Sequence, residues 1–212
     1  MASRNVTICA GVSGTGKSTF GLRYIVNADL AVRFLFDAEA SERDPSQNEF
    51  SDRLQLPPAG SQYELGLALC RGWVPFDPHQ LFAGRLQDAF AFFCEWAWEK
   101  SALIPGRKVI MVDEVWRYCS PQSIPTELSN IVQSGRKVGL HLFVNTQEPN
   151  RLNSSIRNGA SEIVCFKLQS DLALDMVKGY GFDPAEVAGL QEIQFVARNL
   201  DSLGELRGRI KV

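Results

Sequence analysis

Gly11-Val12-Ser13-Gly14-Thr15-Gly16-Lys17-Ser18 fits the pattern G-x-x-x-x-G-K-[ST] at every fixed position. No other stretch constrains the fold as much, because the spacing works only where a strand runs into a tight turn and then a helix. The flanks agree. Asn5 to Ala10 predicts a short buried strand, and Lys17 to Val26 a helix. Gly11, Gly14 and Gly16 permit backbone angles and close approaches that a Cβ would block. Val12, Ser13 and Thr15 fill the remaining loop positions, and the successive N–H groups then face one concavity at a helix start, where anions are favoured. Lys17 is placed to reach the β- and γ-phosphates of a nucleoside triphosphate. The Ser18 hydroxyl is placed to ligate Mg²⁺, with Thr19 beside it.

Strands and helices alternate along most of the chain, which predicts a parallel sheet covered by helices. Strands are expected at Val6–Ala10, Val32–Asp37, Trp73–Phe76, Lys108–Val115, Gly139–Thr146 and Ser161–Leu168. Helices are expected at His79–Lys100, Pro125–Arg136, Asp171–Lys178 and Pro184–Leu190. In the first of these Phe82, Leu86, Ala89, Phe90, Phe93 and Ala97 share one face, as core or as a partner surface. The connection Glu39–Gln62 is polar and proline-bearing, long for a plain loop, and reads as an interaction element or as partly ordered. Gln191–Ala197 and Glu205–Lys211 predict a terminal antiparallel hairpin turned at Asp201–Gly204. Arg207, Arg209 and Lys211 alternate on one of its arms, either protecting an edge strand or tracking phosphates.

With 212 residues, one sizeable core is expected, so residues 1–212 read as a single P-loop domain. No apolar run approaches the roughly 20 residues that span a bilayer, and the first apolar segment leads straight into the glycine loop, not into a signal-peptide pattern. The net charge of −2 excludes a globally basic nucleic-acid surface. Five scattered cysteines without a C-x-x-C pair predict reduced thiols and no structural zinc. His141, between Leu140 and Leu142, reads as structural.

Two further signatures narrow the chemistry. Asp113, at the carboxyl end of an apolar strand, is placed to hold the Mg²⁺ shell through water, and Glu114 to take a proton from an attacking water. Gln147 ends the next strong strand. If that strand lies between the first strand and the Asp113 strand, Gln147 faces the γ-phosphate and orients the water or senses the nucleotide.

The ordered set G-V-S-G-T-G-K-S, V-I-M-V-D-E and S-G-R-K-V-G-L-H-L-F-V-N-T-Q-E-P resembles the FtsK–HerA superfamily of ring ATPases. Phe36-Asp37 is similar to the acidic strand end of that family, and Arg151 to Leu168 to its following segment. The resemblance implies an α/β fold of the RecA-like (ASCE) P-loop NTPase class, with a mostly parallel central sheet, helices on both faces and a C-terminal antiparallel hairpin. A bare core of this size resembles the genome-packaging ATPases of internal-membrane, double-jelly-roll viruses. That likeness implies ATP and Mg²⁺ as cofactors, a homo-oligomeric ring of six subunits, a hexamer, and double-stranded DNA as cargo. Capsid vertex proteins are then expected partners, in the host cytoplasm or at a packaging vertex of the virion. Arg136 matches the family's arginine just before the sensor strand. It reads either as a finger reaching a neighbour's γ-phosphate or as a solvated cap of a helix C-terminus, with Arg151 and Arg157 in reserve. Glu148-Pro149 stands where many relatives have Arg-Pro, and no DNA-guiding winged helix is recognisable. Two other classes remain open: a P-loop kinase for a small acceptor, which needs no Glu114, and a phage-type assembly or secretion ATPase, which usually carries a membrane segment.

Overall fold

The computed structural model describes residues 5–41 and 43–210. Its centre is an eight-stranded sheet in the order β3-β2-β4-β5-β1-β6-β7-β8. The strands are β1 (Val6–Ala10), β2 (Val32–Phe36), β3 (Trp73–Phe76), β4 (Lys108–Asp113), β5 (Leu140–Thr146), β6 (Ala160–Cys165), β7 (Gln194–Asn199) and β8 (Glu205–Arg209). The first six run parallel, while β7 and β8 are antiparallel additions to β6. The α/β class, the mostly parallel sheet and the terminal hairpin are therefore as expected. Lys211 lies outside the described residues.

Parallel strands covered on both faces need apolar residues at every position. β1 is buried throughout, and β4 and β5 nearly so. Period-two alternation divides these residues between two cores. Ile8, Phe36, Ile110, Val112 and Val144 meet α5 (Leu86–Leu103) and α6 (Thr126–Ser134). Cys9, Leu35, Met111 and Phe143 meet α1 (Lys17–Asn27) and α2 (Glu49–Leu54) on the other face. Of the long aromatic stripe, Ala89, Phe90, Phe93 and Ala97 are fully buried, with Phe93 stacked on Phe76 at 5.2 Å between centroids. The stripe is core.

Several boundaries differ from expectation. The long helix begins as a separate turn, α4 (His79–Phe82), because Ala83 and Gly84 are both left-handed, with φ of 44° and 88°. The Glu39–Gln62 connection holds α2, and α3 (Gln62–Cys70) follows directly. α3 spreads Tyr63, Leu65, Leu67, Ala68 and Leu69 around its circumference and so has little amphipathic signature. The β4 strand stops at Asp113, not Val115, because Glu114 is left-handed (φ 46°) and starts a short 3-10 turn, Val115–Arg117. A second 3-10 turn, Gly135–Val138, carries Arg136 into β5. Of the basic residues on the hairpin, Arg207 is paired with Glu186 and Glu205 at 2.6 and 2.5 Å.

His141 bonds Thr7 at 2.9 Å, and Thr7 donates to Glu162 at 3.1 Å, closing a polar network between strands. Burial, helped by Arg107, lowers the His141 pKa to about 4. It is neutral and structural at ordinary pH. Cys9 and Cys165 are small core residues.

Candidate functional site

The end of β1 and the start of α1 form the phosphate loop. Gly14 and Gly16 have φ of 76° and 98°, and a Cβ on Gly11 would lie 2.6 Å from Phe166 Cβ. All three glycines are thus required by turn or packing. Gly16 caps α1 without a side-chain hydrogen bond, and the first turn holds no acid. Its N–H groups and the positive end of the helix dipole are left for an anion. Thr15 Oγ1 and Lys17 Nζ both donate to the Val12 carbonyl, at 2.7 and 3.0 Å, which folds the lysine along the loop. Burial lowers the Lys17 pKa, and the nearby Asp113 and Glu114 carboxylates oppose that shift.

Strand order decides what faces this loop. β5 lies between β1 and β4, so Gln147, one residue past β5, stands beside Asp113 and Glu114. Lys17, Ser18, Thr19, Asp113, Glu114 and Gln147 line one cleft of about 330 Å³. Ser18 Oγ donates to Asp113 Oδ2 at 3.2 Å. Burial, then the Glu114 charge, raises the Asp113 pKa to about 6, while Lys17 and the Ser18 bond hold it down. Glu114 is buried, and its two oxygens accept from the Gln147 N–H at 3.0 and 3.2 Å. Asn145, paired in register with Asp113 on one side and Cys9 on the other, is fully buried. Neither polar atom of its amide has a hydrogen-bond partner among the described residues.

Arg136 is not in this cleft. It lies at the opposite, amino-terminal end of the strands, in a hollow shared with Arg107 and His141. Arg157 closes a short helix, α7 (Ser154–Asn158), that leads into β6 at that same end. Arg151 lies towards the carboxyl ends of the strands, its guanidinium 4.9 Å from the centre of the Trp116 ring. Two arginines at the cleft mouth escaped the sequence reading. Arg53 of α2 bonds Thr19 Oγ1 at 3.1 Å and pairs with Glu49, and Arg117 pairs with Glu39 at 2.6 Å. The only signals were an arginine inside the unexplained acidic connection and another three residues beyond Glu114.

Fold and loop together define a P-loop NTPase architecture. No protein-family model matches the chain, and no curated protein matches it. Solved structures do. The genome packaging NTPase B204 from Sulfolobus turreted icosahedral virus 2, in complex with AMPPCP, aligns over 99% of both chains with a TM-score of 0.79 at 17% identity. B204, the DNA-packaging ATPase from Sulfolobus turreted icosahedral virus, aligns over the full length of both chains with a TM-score of 0.69 at 16% identity. The pCW3 conjugation coupling protein TcpA has a TM-score of 0.63 at 12% identity, covering 98% of this chain and 60% of its own. These likenesses establish the fold. No helix among the described residues is long and apolar enough to cross a membrane.

Proposed function

We propose that the protein is an ATP-hydrolysing ring motor that moves double-stranded DNA, a genome-packaging ATPase. The observation that carries the reading is the juxtaposition, across β1, β5 and β4, of the phosphate loop, Gln147 and the Asp113-Glu114 pair. A kinase for a small acceptor needs no glutamate placed to polarise water beside the phosphate loop. Full-length similarity to B204, which has been solved with AMPPCP, adds support.

In this reading Gly11 to Thr19 wrap the β- and γ-phosphates with backbone N–H groups, and Lys17 leaves the Val12 carbonyl to neutralise them. Ser18 and Asp113 are hard oxygen donors within hydrogen-bond reach of each other, and the spare Asn145 amide beside Asp113 suits a metal-bound water. These residues fit Mg²⁺, which when bound screens the β- and γ-phosphate charge. Glu114 takes the proton of the attacking water, and Gln147 holds that water in line with the γ-phosphorus. Arg136, remote from its own cleft, serves a neighbouring subunit's γ-phosphate in a hexameric ring. Such a ring carries the DNA and docks at a capsid vertex, in the host cytoplasm or on the virion.

The test is ATP hydrolysis with and without double-stranded DNA, in the wild type and in Glu114→Gln. DNA should stimulate the wild type. The variant should bind nucleotide normally and lose at least 100-fold in kcat, because an amide cannot accept the proton. Phosphate transfer to a small acceptor with no effect of DNA would overturn the reading.

A further inference from the structure

One side chain beside Glu114 has no part in the chemistry above. The left-handed turn at Glu114 brings Trp116 back against the carboxylate, and the indole Nε1–H donates to Glu114 Oε2 at 2.6 Å. Oε2 also accepts from the Gln147 N–H at 3.2 Å and from the Thr146 hydroxyl at 3.4 Å. Among the described residues Oε1 accepts only the Gln147 N–H, at 3.0 Å. A carboxylate oxygen offers about two lone-pair sites. Oε2 is therefore filled, and Oε1 keeps one site open on a residue that lines the cleft.

The indole is itself held in place. Arg151 lies 4.9 Å from its centroid and Arg117 5.8 Å. Arg151 is tied to Glu148 at 2.5 Å and Arg117 to Glu39 at 2.6 Å. Two anchored guanidinium groups on an aromatic ring fix its plane, and hence the direction of its N–H. Packing alone requires no donor here, since a phenyl ring would offer the guanidinium groups a face as well.

We infer that Trp116 is a positioning residue for Glu114: it holds Oε2 so that Oε1 is the atom that accepts the proton from water. The inference rests on the hydrolytic reading of the site. In the step it serves, a water O–H bond breaks and its proton goes to Glu114 Oε1. The water oxygen bonds the γ-phosphorus, and the bond from that phosphorus to the β–γ bridging oxygen breaks, its electron pair leaving with ADP.

The experiment compares Trp116→Phe, which keeps a ring but loses the donor, with Trp116→His, which keeps a flat ring and an N–H. Steady-state ATP hydrolysis, AMPPCP affinity and thermal unfolding are measured for each. Trp116→Phe should lower kcat about 10- to 100-fold, the value of a hydrogen bond to a charged group, with KM, AMPPCP affinity and melting temperature little changed. Trp116→His should recover most of the rate. A wild-type kcat in Trp116→Phe overturns the inference. So does a Trp116→His protein as slow as Trp116→Phe, or a loss of rate that only tracks lost stability or nucleotide affinity. A wild-type protein that hydrolyses no nucleotide strikes the proposed function first and removes the task assigned to Trp116 with it. The wild-type rate tells that failure from the others.

Discussion

The carboxyl ends of β2 and β4 each hold an aspartate whose pKa burial raises to about 6, yet the two have little else in common. Asp37 is spent. Its Oδ1 accepts the Phe50 N–H at 2.8 Å, and its Oδ2 accepts the Ser51 N–H and hydroxyl at 2.8 and 2.5 Å. It fastens the first turn of α2 to the sheet. Asp113 takes one long bond from Ser18 and faces the cleft. A shifted pKa alone would rank the two together. Unspent hydrogen-bonding capacity separates them: the strand end that keeps lone pairs free is the one able to engage a ligand.

The strongest way to break the contrast is to neutralise each acid in turn. Asp113→Asn should lower ATP hydrolysis about 100- to 1,000-fold and abolish its Mg²⁺ dependence, while the apo protein melts no lower than wild type. A large loss of apo stability would show Asp113 to be as structural as Asp37. Asp37→Ala should do the reverse. It leaves three buried donors at the α2 start without their acceptor and should cost about 3 kcal/mol, roughly 10 °C in melting temperature for a chain of this size. Nucleotide affinity per folded molecule should hold, as read by calorimetry with AMPPCP.

The smallest effect concerns pH. Both acids bind protons more tightly folded (about 6) than unfolded (about 3.9), so the protonated forms favour the fold. Stability of the apo protein should therefore be greatest below about pH 4 as far as these groups are concerned. It should fall as pH rises from about 4 to about 6, by at most roughly 3 kcal/mol for Asp37 and by less for Asp113, which is partly exposed at the strand end. Mg²⁺ with AMPPCP should cancel the Asp113 share and leave that of Asp37. Urea unfolding at pH 4.5, 5.5 and 6.5 reads both shares. A fall that Mg²⁺-AMPPCP leaves untouched would put the whole effect on Asp37.

The same distinction explains what was legible beforehand. The glycine loop, β1, β4 and β5 were readable because their signals are local: invariant spacing and continuous apolar runs. The place of Gln147 was readable only conditionally, since it depends on β5 lying between β1 and β4, a fact of topology. Arg53 and Arg117 were hidden because nothing near them in the chain marks them. Their place at the cleft comes from α2 folding back against α1 and from the turn after Glu114. That turn was itself unreadable, because a glutamate at φ 46° violates local preference and is imposed by the bonds its carboxylate makes. The break before α5 was missed for a related reason. Gly84 announced it, but Ala83, also left-handed, did not.

The two margins of the sheet have a consequence for assembly. At β3 the outward side carries Pro75, whose carbonyl accepts the Ala59 N–H at 2.8 Å and which has no N–H to offer. At β8 the sequence Glu205-Leu206-Arg207-Gly208-Arg209 lines the other margin with charge. Neither margin welcomes another strand. If the proposed ring forms, its contacts are then expected through side chains, without a shared main-chain ladder. In the proposed ring, joints of that kind would loosen and re-form one at a time, letting neighbouring subunits shift against each other while every sheet stays whole.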